Sequence, residues 1–399
     1  MKLIRGRYLL VLIAACGLAS TTLGMMTNVA GVFFTPMAED FGIGRGTAAL
    51  TLTIGNLSYA VGGIFSRRLV TDRSFKPMVL LGTAIMAGAT AAMAAAPNIW
   101  VLYVLNVIRG AAGGVLGLVL VTVIINNWLY VAAGISNSIA MACSGVIGAV
   151  MSPVLTAIIS ATSWRVGYLV AAVCILALNL PAIVFPMSLG PEAMGMTPLG
   201  ANAAYQGSVP PPPAGKGRRD IVLFLLLLFY GMVFAGTCAL TQHFPGLSDS
   251  YGVVAAGSAM LSVAMVANSG GKLLMGVLIQ RIGTRRTVQA TAGCVLLGLA
   301  GLIFLRSTPA LLVSAGLMGF CYSQSSLGIV MMATELYGVR RYSEIYPKLS
   351  LGTSIANALS ATLIGYLYDF SGGYASTLWL FLALDAAAIV CATAAYSRK

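Results

Sequence analysis

Two positively charged side chains stand where an apolar chain tolerates them least. Lys272 and Arg109 each lie inside a long hydrophobic run, whereas the other lysines and arginines sit at or between the ends of such runs. A charge at the centre of a bilayer costs roughly 2.5–3.5 kcal/mol on insertion scales, so a retained one is a candidate for function. Lys272 precedes Arg281 by nine residues. A helical rise of about 1.5 Å per residue puts it about 13 Å inside the end of its helix, too deep for easy escape to the interface. Asn268 lies four residues earlier and shares its face, with Met265 and Gly276 along the same stripe. An ammonium beside an amide in a low-dielectric cavity suits a carboxylate; the other reading pairs Lys272 with an acid of the protein. Arg109 lies on a stripe with Tyr103, Asn106, Gly110, Gly113 and Gly117. Those glycines admit a second helix at close range. The guanidinium then either holds a carboxylate in its fork or locks helices together through backbone carbonyls.

Uncharged groups at helical spacing extend the list. Asn28, Asn56, Tyr59, Tyr230, Tyr322, Gln324, Ser354 and Asn357 each have two readings, a contact to a polar solute or a helix–helix hydrogen bond. Asp385 falls mid-run and reads as a buried partner for a polar neighbour, with a protonatable site as the alternative. His243, the only histidine, stands at the end of a run and could sense protons. The seven cysteines are scattered singly through apolar runs with no CxxC pair, and read as small buried hydrophobes. That scatter offers no metal site, and no nucleotide or cofactor motif appears.

These residues need a frame, and composition supplies it. Of 399 residues, 59% are hydrophobic and 8% charged, with a mean hydropathy of +0.92. A soluble domain carries about 25% charged residues, so lipid must be the solvent for most of this chain. In lipid every backbone polar group has to be satisfied internally, and the runs have the length of membrane-crossing helices. Twelve spans follow, near 8–35, 46–66, 77–96, 99–124, 130–159, 166–186, 220–243, 253–279, 287–305, 309–333, 345–368 and 375–396. The first begins like a signal peptide, with Lys2, Arg5 and Arg7 before Tyr8, but its apolar run continues to about Phe34 and reads as a retained helix.

One long hydrophilic interval, 187–219, contains Pro210–Pro213, Lys216, Arg218 and Arg219. It predicts three segments: a six-helix bundle over 1–186, a cytoplasmic linker over 187–219 and a second bundle over 220–399. With the N-terminus inside, eighteen of the 23 lysines and arginines face the cytoplasm, against Arg45, Arg165 and Arg306 opposite. That asymmetry predicts a multi-pass cell-membrane protein with both termini cytoplasmic. It also explains the net charge of +13 without nucleic acid. A monomer in the lipid bilayer is expected. Shifting the chain by 208 residues superimposes Gly62-Gly63 on Gly270-Gly271 and Asp72-Arg73 on Gln280-Arg281. Two repeated halves about a central cavity are how parallel-repeat transporters are built.

The ordered motifs resemble the major facilitator superfamily along essentially the whole chain. GGIFSRRLVTDRSFKP (62–77) is a degraded form of its signature loop, and GGKLLMGVLIQRIGTRR (270–286) is the better-kept counterpart. Within the superfamily, VFFTPMAED (32–40), RGAAGG (109–114), PEAMGMTPLG (191–200) and ELYGVRRYSEIY (335–346) resemble the monocarboxylate and oxalate/formate exchanger branch. The resemblance implies an anion-binding basic residue on helix 8, where Lys272 lies, and an arginine on helix 4 for substrate or proton coupling, where Arg109 lies. It implies gating roles for Asp72, Arg73 and Arg281. Helix 11 has no mid-span lysine, the residue oxalate exchangers carry, which turns the expectation from doubly to singly charged anions.

Together these readings predict a secondary transporter of small organic anions, foremost monocarboxylates, working by proton symport or anion exchange. The candidate binding residues are Lys272, Arg109, Asn268, Asn28, Tyr59, Tyr230, Tyr322, Gln324 and Asn357. A proton-driven exporter of drugs or metabolites is the alternative, although SGVIGAVMSP (144–153) carries only part of the Gly-Pro pattern such exporters favour. The chain has no Walker loop, HExxH or GxSxG motif, which argues against an ATP-driven pump and a membrane enzyme.

Overall fold

The computed structural model describes residues 6–129, 132–199, 218–253 and 256–397. Pro210–Pro213 and Lys216 of the expected linker lie outside them. All regular structure among the described residues is helical, as a chain with lipid for solvent requires. The fold is an all-α, twelve-helix membrane bundle. Ten helical stretches are long and apolar enough to cross a bilayer, from Arg7–Asn28 to Ala375–Ser397. Of the two remaining expected spans, 309–333 is helical but interrupted at Gly319 and by a π-helical stretch, and 345–368 is continuously helical. The chain divides into two compact units, one of residues 1–43 and 50–206, the other of 44–49 and 207–399.

The first unit opens with α1 (Arg7–Ala19), which runs into a π-helical segment, Ser20–Asn28. There follow α2 (Gly31–Phe41), most of α3 (Arg45–Leu69), α4 (Phe75–Met93), α5 (Ile99–Leu116), α6 (Leu118–Trp128), α7 (Ala133–Ala161) and α8 (Trp164–Val184). Backbone contact between α3 and α5 depends on glycine. A Cβ on Gly110 would lie 2.4 Å from the Gly55 carbonyl oxygen, one on Gly114 2.0 Å from that of Tyr59, and one on Gly62 2.1 Å from that of Ala111. Because lipid tails are as apolar as the side chains, such close packing does what hydrophobic exclusion does in water.

Buried polar groups join these helices further. Thr21 donates to Asn179 (2.9 Å), which donates to Thr83 (3.0 Å), tying α8 to the π-helical segment and α4. Lys76 Nζ donates to the carbonyls of Ala182, Ile183 and Phe185, which the end of α8 leaves without helical partners. Asp40 accepts from Trp164 Nε1 and pairs with Arg165, both at 3.1 Å, while Arg165 also caps Ala94 and Ala96 at the end of α4. The segment 188–199 folds back on α6. Trp128 Nε1 donates to Ser188 O, Leu199 N donates to Trp128 O, and Tyr8 of α1 donates to Thr197 O.

The second unit contains α9 (Arg218–Leu240), α10 (Phe244–Ser250), α11 (Ala256–Ile282), α12 (Thr284–Phe304), α13 (Thr308–Met318), α14 (Phe320–Ser323), a second π-helical segment (Gln324–Gly328), α15 (Ile329–Ser371) and α16 (Ala375–Ser397). Gly338 interrupts α15 with φ 77° and ψ 155°, a conformation only glycine adopts without strain. The break separates helix ten from helix eleven of the bundle. Around it, Arg341 pairs with Asp220 at 3.1 Å, and Tyr337 donates to the Asp220 carbonyl. The first turn of α3 also belongs to this unit. Both oxygens of Asp369 accept from its free amides, Arg45 N at 3.0 Å and Gly46 N at 2.9 Å. The Arg45 guanidinium donates to Gly246 O and stacks 4.4 Å over Tyr368.

The glycine contacts generate a test. Gly114→Val forces α3 and α5 apart, an overpacking worth roughly 1–3 kcal/mol, and should lower the melting temperature of the detergent-solubilised protein. Gly88→Ala, where an added Cβ meets nothing within 4 Å, should leave it unchanged or raise it.

Candidate functional site

Arg109 is positioned by the first two turns of α5. Asn98 caps that helix, accepting from Val101 N, and the Asn106 amide donates to Leu102 O one turn back. This leaves Asn106 Oδ1 to accept from Arg109 Nη2 at 2.6 Å. Arg109 is 6% exposed, and its buried Nε has no partner. It lines a cavity of about 10 Å³, room for one water, whose walls include Met25, Met26, Phe33, Phe34 and Tyr168. Phe33 and Tyr168 stack at 4.2 Å. The guanidinium thus keeps a spare donor beside largely apolar walls.

Lys272 lies on α11 in the second unit and is half-buried. Only two salt bridges join described residues, Asp40–Arg165 and Asp220–Arg341, so neither Lys272 nor Arg109 has a carboxylate partner among them. Lys272 sits within electrostatic range of the Cys238 and Cys321 sulfurs. One turn earlier on the same helix, the buried Asn268 has an Oδ1 with no partner. Gly271 brings α11 against α14, where a Cβ would lie 2.8 Å from Ser323 Oγ, itself buried and unpartnered. The sequence stripe therefore arrives as a cation with unsatisfied polar groups near it.

Most of the uncharged candidates are already engaged. Asn28 donates to Ser144 O, and Asn357 to Ala235 O. Tyr230 donates to Gln324 Oε1, whose amide donates to Val288 O and Thr291. Tyr322 shares a 2.7 Å bond with Thr241. The Tyr59 hydroxyl accepts from Leu118 N at 2.8 Å, satisfying an amide freed where Gly117 breaks α5 from α6. These are helix–helix bonds, one of the two readings their spacing allowed. Asp385 has its polar neighbour: it is fully buried and accepts from Thr237 at 2.9 Å. His243 is buried, with Ala361 O and the Tyr374 hydroxyl at its ring nitrogens.

Of the expected gating residues, Asp72, Arg73 and Arg281 are exposed at helix ends. Asp72 accepts from Gly190 N at 3.3 Å beside a cavity of about 280 Å³ shared with Asn126, Asn127 and Glu192. What the sequence did not signal is the pair of π-helical segments, each carrying candidate residues: Asn28 in one, Gln324 in the other. Such segments are rare and recur at functional sites.

The Major Facilitator Superfamily model matches residues 16–310 and 258–399. The chain belongs to that superfamily. No curated protein matches the sequence. Among solved structures, a mutant of the nucleoside transporter NupG has a TM-score of 0.67 at 14% identity, covering 97% of this chain and 99% of its own. A bacterial homologue of the human lysosomal transporter Spinster, captured inward-facing and occupied, has a TM-score of 0.62 at 15% identity, covering 98% and 96%. At such identities these likenesses show the fold alone; it is the family match that places the chain in a superfamily of membrane transporters.

Tyr59 separates a structural from a ligand role. Tyr59→Phe removes the acceptor for Leu118 N and should cost roughly 1–3 kcal/mol, read as a lower melting temperature with solute affinity unchanged. Weaker solute binding at unchanged stability would place the hydroxyl on the solute instead.

Proposed function

We propose that this superfamily member is a secondary active transporter of small organic anions, foremost monocarboxylates, working by alternating access with proton symport or anion exchange. The observation that carries the reading is two cations without a carboxylate partner among the described residues, Arg109 in the first unit and Lys272 in the second, both inside membrane-spanning helices. An unneutralised charge at that depth is costly, and a bound carboxylate would offset it. The guanidinium would take the carboxylate through its free donor, and the ammonium through three rotatable ones. The motif resemblance to the monocarboxylate and oxalate/formate branch supports the same class. Both termini are assigned to the cytoplasm on the distribution of lysine and arginine.

The test is uptake of labelled monocarboxylates into proteoliposomes. Lys272→Gln should abolish uptake while the purified variant remains monodisperse and melts as a folded protein; uptake at the unaltered rate would sink the assignment. A thermal-shift series gives a second readout, since a ligand that binds the folded state raises apparent stability. Small monocarboxylates should raise the melting temperature of the unaltered protein and not that of Lys272→Gln or Arg109→Gln.

A further inference from the structure

Four of the seven cysteines, isolated in sequence, are brought together in two pairs by the fold. Cys16 on α1 and Cys143 on α7 lie within hydrogen-bonding reach of one another in the first unit. Cys238 on α9 and Cys321 on α14 do the same in the second. The two pairs differ in access. Cys238 is 2% exposed and Cys321 fully buried. Cys16 and Cys143 are half-buried and share the wall of an open groove of about 310 Å³ with Ile13, Gly17, Val146 and Ile147. All seven thiols are free.

We propose that Cys16 and Cys143 form an oxidation site that closes to a disulfide between α1 and α7, with an organic hydroperoxide as the oxidant. Three features carry this. The two thiols interact with each other and line the same groove. Their helices pack against one another, which holds the two residues on neighbouring backbones before the bond forms. The groove beside them is lined almost wholly by apolar residues, which admits an oxidant that partitions into lipid and disfavours a hydrophilic one.

The chemistry closes without a further reactant. One thiol attacks the peroxide oxygen, the O–O bond breaks, and the alcohol leaves, giving a sulfenic acid. The second thiol attacks that sulfur, the S–O bond breaks and water leaves as the disulfide forms. Two thiols are oxidised by two electrons overall, and the peroxide is reduced to alcohol and water. The bond would covalently hold α1 one turn before the π-helical segment that bears Asn28.

The experiment treats the full-length protein in proteoliposomes with cumene hydroperoxide, quenches with an alkylating agent under denaturing conditions, and maps peptides by mass spectrometry. The expected result is a Cys16–Cys143 cross-linked peptide, with alkylatable thiols falling from seven by two and returning on reduction. Cys238 and Cys321 should stay alkylatable. Cys16→Ser and Cys143→Ser should each abolish the cross-link. If either variant folds poorly, the unaltered protein still decides the matter through its peptide map. Absence of the Cys16–Cys143 peptide, or bridging of Cys238 to Cys321 first, would overturn the proposal. The outcome does not depend on which solute the protein carries.

Discussion

Most of this molecule has to solve its hydrogen bonding without water. In the bilayer interior an unpaired backbone amide or carbonyl costs several kcal/mol, so every departure from a regular helix must come with a partner. The structure meets that demand repeatedly. Tyr59 accepts the amide of Leu118 where α5 gives way to α6. Lys76 gathers three carbonyls at the end of α8, and Asp369 takes the first two free amides of α3. Side chains that look like solute contacts in a one-dimensional reading are largely spent on this work.

The same constraint explains why glycine matters here. Without hydrophobic exclusion to press helices together, contact area comes from close backbone approach. Gly62, Gly110 and Gly114 let α3 and α5 touch through their backbones, while Gly271 brings α11 against α14. The double-glycine repeat at 62–63 and 270–271 thus marks a packing device in each unit. Gly62 of the first pair and Gly271 of the second are the members pressed against a neighbouring helix, whereas a Cβ on Gly270 would meet nothing within 4 Å.

Against that background of satisfied groups, the exceptions are informative. Arg109 Nε, Asn268 Oδ1 and Ser323 Oγ are buried without partners, as are Ser136 Oγ, Thr377 Oγ1 and Asp385 Oδ2, and Lys272 has no carboxylate beside it among the described residues. A buried polar group left unpaired costs free energy, and the first three of these lie on or near a cation at membrane depth. The proposed anion site rests on those three and not on the longer list of polar residues with helical spacing.

The sequence by itself determined the solvent, the helices, the two membrane-depth cations and the superfamily. Each follows from composition or from motifs whose spacing survives in one dimension: a chain 8% charged cannot be hydrated, and the depth of Lys272 needs only the rise of a helix. Only the tertiary structure decided which polar residues are already engaged. Asn28, Tyr59, Gln324 and Asn357 look alike along a helix, and their partners lie 33 to 122 residues away in the chain. The π-helical segments, and the approach of Cys16 to Cys143, were illegible for the same reason. Periodicity says which face of a helix a residue occupies, but which helix that face meets is settled by packing between segments remote in sequence.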